Sequence, residues 1–305
     1  MRLLIIGSVA LDSIETAVEN APDTLGGSAV YASGAAGLFT ETGLVGVVGS
    51  DFPLASLDFL RARRVDLSGL AVIPNGQTFR WGGRYSRDLS TRESLFTELG
   101  VFATFDPKIP EAMQGTELVF LGNIEPTIQR RVVEQMRAPK LVAMDTMNFW
   151  IHGHRAELLK TLQKVNVLLI NDEEARDLSG EINLVKAARA ILRMGPSTLI
   201  IKRGEHGAML FHHEGENLRI FYAPAFPLED VKDPTGAGDT FAGAFMGALA
   251  KEGQLSFAAM RRAVVQGSLV ASFVVQGMGT RAIEALTPER LAQRQSEYRA
   301  MLSVE

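Results

Sequence analysis

Asp233-Pro234-Thr235-Gly236-Ala237-Gly238-Asp239-Thr240-Phe241 leads directly into the small-residue run AGAFMGALA. Glycines at 236 and 238 let the backbone approach a ligand closely. The run that follows reads as a helix, whose first turn offers unpaired N–H groups and the positive end of its dipole. Together these make an anion site suited to phosphate. Asp239 stands where the anion would lie. A carboxylate there weakens ground-state anion binding, and accepting a proton from an attacking hydroxyl gives it a purpose. The plainer alternative is a helix cap, because Asp is a good N-cap residue.

Upstream of this stretch, short apolar runs alternate with helical patterns. Leu3–Ile6, Leu44–Val48, Leu70–Ile73, Leu118–Leu121, Leu141–Met144, Val167–Ile170 and Thr198–Ile201 are nearly continuous apolar runs, the form of parallel strands buried on both faces. Helical patterns lie near 28–39, 53–64, 127–137, 155–164 and 184–194. The alternation predicts an α/β fold, a large parallel sheet in three layers with helices on both sides. Two regions break the rhythm. Residues 75–105 read as polar and aromatic strands, and AMLFHH and RIFYA within 208–223 read as a β-hairpin. Ligands in open α/β sheets bind beyond the carboxyl ends of the strands. A β flap above that edge makes a lid, inserted at about 12–24 and 75–105 into one domain spanning 1–305. From 238 onward the chain is mostly helical.

The charge balance, 31 Lys and Arg against 35 Asp and Glu, contains no block of like charge and argues against nucleic-acid or anionic-membrane partners. The absence of cysteine excludes disulfides, thiolate metal sites and a cysteine nucleophile. MRLLIIGSVALDSI reaches Asp12 too soon for a signal peptide, and no stretch approaches the ~18 apolar residues of a membrane span. A cytoplasmic protein is the expectation. No G-x-x-x-x-G-K-[ST], H-E-x-x-H or G-x-S-x-G occurs. Gly277-Met278-Gly279-Thr280-Arg281-Ala282 fits a dinucleotide fingerprint, but a helical pattern rather than a strand precedes it. The 5 histidines form no metal-binding constellation.

DPTGAGDTFAGAF resembles the second signature of the ribokinase-like (PfkB) carbohydrate kinases, and other features agree in order along nearly the whole chain. Asp12 is similar to the family's hydroxyl-binding aspartate, and Gly26-Gly27-Ser28-Ala29-Val30-Tyr31-Ala32 to its diglycine motif at the sugar site. Asn171-Asp172-Glu173-Glu174 is similar to its N-x-x-E motif, and Lys202-Arg203-Gly204-Glu205-His206-Gly207 to its K-x-G-x-x-G turn.

The resemblance implies transfer of the γ-phosphoryl of ATP to a substrate hydroxyl. Asp239 would take the hydroxyl proton, and Gly236, Ala237 and Gly238 would offer backbone N–H groups to the developing phosphoryl charge. Asp12, Gly26, Gly27 and Tyr31 would line the acceptor site, with Asn123 at a strand end beside them. Asn171 and Glu174 would organise Mg2+, Glu174 through water, although N-D-E-E is also a good capping sequence. Lys202, Gly204 and Gly207 would lie near the nucleotide phosphates, and Thr235 and Gly277 would border the nucleotide. Asp233 and Thr235 are also the implied ligands of a monovalent cation, K+ being the candidate.

Ribose kinases of the family usually carry Asn where this chain has Tyr31, which argues against ribose itself. The acceptor expected is a sugar or sugar-like alcohol. A nucleoside is the alternative, with Tyr31 and Trp81 able to sandwich a base. The lid arginines Arg80, Arg84, Arg87 and Arg92 allow a phosphorylated sugar, and alternation sets Trp81 and Tyr85 on one lid face. A non-catalytic binding protein on the same scaffold is a further reading, opposed by the retention of Asp239, the glycines and Glu174. An exposed flap also leaves an edge to cover, which points to a homodimer through the lid.

Overall fold

Leu3 and Ile5 enter one hydrophobic core and Leu4 and Ile6 enter another, and all four are fully buried. Period-2 alternation along a strand delivers side chains to both faces, so a run apolar throughout implies cover on both sides. A computed structural model, describing residues 1–215 and 217–303, shows this repeated across a large sheet. The strands are β1 (Leu3–Ile6), β2 (Ala10–Glu15), β3 (Asn20–Gly26), β4 (Thr42–Gly49), β5 (Val65–Ile73), β6 (Phe79–Tyr85), β7 (Arg92–Glu98), β8 (Leu118–Leu121), β9 (Leu141–Asp145), β10 (Val167–Asn171), β11 (Thr198–Lys202), β12 (Ala208–Glu214) and β13 (Asn217–Ala223). The helices are α1 (Ser28–Ala36), α2 (Asp58–Ala62), α3 (Pro126–Gln135), α4 (Asn148–Gly153), α5 (Arg155–Leu162), α6 (Asp172–Ser179), α7 (Leu184–Leu192), α8 (Ala237–Glu252), α9 (Phe257–Val274), α10 (Arg281–Glu284) and α11 (Pro288–Leu302).

Nine strands form the large sheet in the order β13-β12-β11-β10-β9-β8-β1-β4-β5. Seven of them, from β11 to β5, run parallel, whereas β12 and β13 add on antiparallel. The sheet is therefore mixed. The hairpin expected at 208–223 forms and joins the edge of this sheet, because β12 pairs with β11 from Thr198↔His212 to Lys202↔Ala208. The single helix expected at 53–64 is also broken. A 3-10 turn at Leu54–Leu57 precedes the short α2, and Arg64 at φ 60° ends the helix and turns the chain into β5.

One core contains α1, α8 and α9 residues such as Val30, Phe245 and Val264, and the opposite core contains Val132, Leu158, Leu178 and Ile191 from α3, α5, α6 and α7. α1 crosses α8 at close range, since a Cβ on Gly243 would stand 2.1 Å from the Ala32 carbonyl oxygen. A smaller, separate four-stranded sheet runs β3-β2-β6-β7. Its edge strand β7 is exposed at every residue. Among the described residues no helix is long and apolar enough to cross a membrane.

Candidate active site

Parallel register brings the ends of β9, β10 and β11 to one edge. Leu169 stands opposite Asp145 and Asn171 opposite Lys202. Lys202 Nζ donates to Asp145 Oδ2 at 3.0 Å, with both side chains largely buried. Burial works against the ammonium charge, but Asp145, Glu174 and Asp239 outweigh it and hold the Lys202 pKa above the ordinary lysine range. Asp145 thus belongs to the site's centre. In the sequence it is one acidic residue at one strand end, and its pairing across β10 becomes visible only with the sheet order.

Asn171 and Glu174 form a reciprocal capping box at the start of α6. Glu174 N–H donates to Asn171 Oδ1 at 2.7 Å and Asn171 N–H donates to Glu174 Oε2 at 2.8 Å. The capping role is therefore real, and it leaves Glu174 Oε1 outside the box. Burial, followed by the charge of Asp145, pushes the Glu174 pKa up to about 7 against the opposing pull of Lys202. Gly204 and Gly207 bracket a 3-10 turn between β11 and β12, with φ of 53° and 88°.

Gly236 adopts φ 73° and caps α8 without any side-chain hydrogen bond. Ala237 N–H is engaged, donating to Pro234 O at 3.2 Å. Among the described residues the N–H groups of Gly236 and Gly238 have no backbone partner, so two of the three expected amides are open and Ala237 is not. Lys202 lies beneath the turn, its Nζ 3.0 Å from where a Cβ on Gly238 would stand. Asp239, in the first turn of α8, keeps part of its surface open. Burial, then Asp145, pushes its pKa up to about 7, while Lys202 pulls the other way.

Asp12 on β2 is 5% exposed, and its carboxylate fills the space at Gly26, where a Cβ would lie 1.9 Å from Oδ2. Burial, then the charges of Asp233 and Asp239, raises its pKa to about 7, with Gly27 N–H opposing. Gly27, at φ 96°, is the N-cap of α1. Thr235 N–H donates to Asp233 Oδ1 and Gly279 N–H to Oδ2, each at 2.8 Å, so Asp233 joins two loops. The residue reaching Asp233 from the second loop is Gly279, while the Cβ position of Gly277 in the same loop faces Ala282. Tyr85 links the small sheet to this turn through a 3.0 Å bond to Thr235 Oγ1.

Two expected acceptor residues are placed differently. Tyr31 is 1% exposed, with its ring beneath Gly236, so it offers no face to a base. Asn123 is engaged by its neighbours. Trp150 Nε1–H donates to its Oδ1 at 2.9 Å and its Nδ2 donates to Met147 Sδ at 3.0 Å. Trp81 donates to Ser94 Oγ, lies across Gly83 and is stacked by Arg92 at 5.0 Å. The Tyr31–Trp81 sandwich is therefore absent. Gln129, which the sequence did not single out, is fully buried and donates at 2.9 Å to the carbonyls of Gly122 and Asp145, fixing two strand ends.

Residues 118–286 match the profile of the pfkB family carbohydrate kinases. The chain is also 30% identical over 253 residues to the cytidine kinase of Thermococcus kodakarensis, covering 81% of this chain and 87% of that one. The chain belongs to the pfkB carbohydrate kinase family. It is a phosphotransferase of that family. The ribokinase-like fold is shared with an E. coli ribokinase II solved with ATP and Mg2+ (TM-score 0.78, 18% identity, 98% of this chain and 99% of that one). It is shared equally with the Burkholderia thailandensis nucleoside kinase solved with inosine (TM-score 0.75, 21% identity, 99% of each chain).

Proposed function

We propose that this family member transfers the γ-phosphoryl of ATP to a hydroxyl of a nucleoside. The phosphoryl-transfer part is supported by Asp239 beside the open N–H groups of Gly236 and Gly238 at the start of α8. The acceptor class is carried by the identity to the cytidine kinase over most of both chains.

In this reading Asp12 accepts a hydrogen bond from an acceptor hydroxyl and helps hold it near Asp239. Asp239 takes the proton as the hydroxyl oxygen bonds to the γ-phosphorus. The bond from that phosphorus to the bridging oxygen breaks, and ADP leaves. The amides of Gly236 and Gly238, with the α8 dipole, stabilise charge on the transferred group. Lys202 lies beneath the same turn and helps keep Asp239 ionised.

The donor set fits Mg2+. Asp145 and Glu174 set two carboxylates around one lysine, and their repulsion contributes to the raised Glu174 pKa. No cluster of three acidic or histidine ligands occurs among the described residues, which suits an ion that keeps most of its waters. Glu174 would hold it through water, and Mg2+ would supply charge neutralisation at the phosphate oxygens. Asp233 fits K+ in a similar way. It is 1% exposed, burial raises its pKa, and only hydrogen bonds oppose that rise. Its two oxygens have about four lone-pair sites for the bonds they accept from Thr235 and Gly279, which leaves acceptor capacity for a cation.

The small sheet would act as the lid, excluding water from the transfer. Its exposed edge β7, with Leu95 and Phe96 at 37% and 38% exposure, is the surface we assign to a homodimer. A single monomeric species by light scattering at high concentration would remove that assignment.

A second reading, a phosphorylated sugar, is favoured by Arg92, whose charge opposes the rise in pKa of both Asp12 and Asp239. ADP release from Mg-ATP across cytidine, adenosine, inosine, ribose, fructose and fructose 6-phosphate separates the readings. The highest kcat/KM is expected with a nucleoside. A sugar or sugar phosphate exceeding every nucleoside would overturn the acceptor assignment.

A further inference from the structure

Tyr31 has no open face for a ligand, yet it touches the phosphate turn directly. A Cβ on Gly236 would lie 2.5 Å from Cδ1, Cδ2 and Cε1 of Tyr31 alike. Equal distances to atoms on both sides of the ring place Gly236 over its face, not its edge. The aromatic plane is thus a floor beneath the residue that turns the chain into α8. Gly236 sits there at φ 73° and ψ 2°, and its carbonyl accepts the Thr240 N–H at 2.8 Å, fixing the first turn to the same point. No side chain caps this end, and the polar bonds of the turn are made on either side of Gly236, by Thr235 N–H to Asp233 Oδ1 and by Ala237 N–H to Pro234 O.

The other end of Tyr31 is equally constrained. Its N–H donates to Gly27 O at 3.3 Å in the first turn of α1, next to Gly26 and the Asp12 carboxylate it accommodates. One residue therefore connects the acceptor-side turn, through its backbone, to the phosphate-side turn, through its ring. Its hydroxyl is buried without a hydrogen-bond partner among the described residues. Burial, then the charges of Asp12, Asp233 and Asp239, holds the phenol well above its usual pKa, so it stays neutral. A hydroxyl with no partner adds no bond to the arrangement, which leaves the ring as the acting part.

We propose that Tyr31 is a positioning residue for phosphoryl transfer, its ring face supporting Gly236 so that the Gly236 and Gly238 amides point at the transferred group. This rests on the phosphoryl-transfer reading. Misplacement of a reacting geometry by about 1 Å can lower a rate about 10²-fold. Tyr31→Leu removes the flat support, and Tyr31→Met is the companion variant should the first fail to fold. Either is expected to lower kcat at least tenfold, with KM for ATP and acceptor within threefold of the parent. Tyr31→Phe keeps the ring and is expected to hold kcat within threefold.

Binding of Mg-ADP with aluminium fluoride, which mimics the transferred phosphoryl, gives a readout that needs no turnover. By calorimetry its affinity should fall at least tenfold in Tyr31→Leu or Tyr31→Met and not in Tyr31→Phe, while Mg-ADP affinity is retained. A parent protein that turns over no acceptor would count against the kinase reading, and this binding series would still decide the role of Tyr31. A folded Leu or Met variant with parental kcat and fluoride-complex affinity would overturn the proposal. So would Tyr31→Phe falling as far as Tyr31→Leu, which would make the hydroxyl the acting group, or a rise confined to acceptor KM.

Discussion

Replacing Lys202 by methionine removes a cation 3.0 Å from Asp145 Oδ2, at a pair whose side chains are 17% and 8% exposed. Methionine retains much of the apolar stem, so the principal loss is charge. Breaking a buried pair by removing one partner costs about 3–5 kcal/mol. The partial exposure of Lys202 places the expected loss near the lower end, about 3 kcal/mol at pH 8. The variant should also alter proton affinity at the neighbouring carboxylates. Lys202 lowers the pKa of Glu174 and Asp239 against burial and Asp145, which have already brought each to about 7. Without the lysine both move higher, and each 1.4 kcal/mol of lost interaction is about one pH unit. Less ionised base remains at neutral pH, so the acid limb of the kcat profile shifts upward. Protonation relieves the uncompensated charge, so the stability loss should shrink at pH 6. Urea unfolding followed by the fluorescence of Trp81 and Trp150, at pH 6 and 8, measures the first effect, and kcat from pH 5.5 to 9 measures the second. A loss below 1 kcal/mol at pH 8, or an acid limb moved downward, would refute the assignment of Lys202 as the site's counterion.

In the parent enzyme, turnover should fall as pH drops through about 7, because protonated Asp239 cannot take the hydroxyl proton; an acid limb near 4 contradicts this. The same raised pKa values at Asp12, Glu174 and Asp239 mean the folded, ligand-free chain holds extra protons between about pH 4 and 7, so its Tm should be lower at pH 8 than at pH 6. Gly26→Ala would drive a methyl into the Asp12 carboxylate, 1.9 Å from Oδ2, and should raise acceptor KM at least tenfold with ATP KM little changed; steady-state kinetics with each substrate varied decides it. Exchanging tetramethylammonium for K+ at about ten times its Kd should stabilise the protein by about 1.4 kcal/mol, or about 2–4 °C in Tm. Asp233→Asn should abolish that shift, and equal Tm values for the parent in both salts would remove the cation.

The α/β layers were legible because buried parallel strands leave apolar runs such as Leu118–Leu121 that no other element explains as simply. The turn at 233–239 was legible because its glycines and carboxylate stand close together in the chain. The small sheet left a weaker trace. Every residue of RESLFTE is exposed in β7, so burial imposes no alternation there. Tyr31 was misread for the opposite reason. α1 is buried all round, and a helix without an exposed face gives no indication of which neighbour each side chain meets. Asp145 and Lys202 are 57 residues apart, and only the strand order brings them together.

The most direct test of phosphoryl transfer through this site is Asp239→Asn, assayed with the acceptor that the parent turns over fastest. Removing the base should lower kcat by about 10²–10⁴-fold, while calorimetry shows Mg-ATP and acceptor still binding and the Tm shows the fold intact. A folded Asp239→Asn enzyme keeping more than about a tenth of the parental kcat would contradict the assignment of Asp239 as the proton acceptor, and with it the mechanism built around the start of α8.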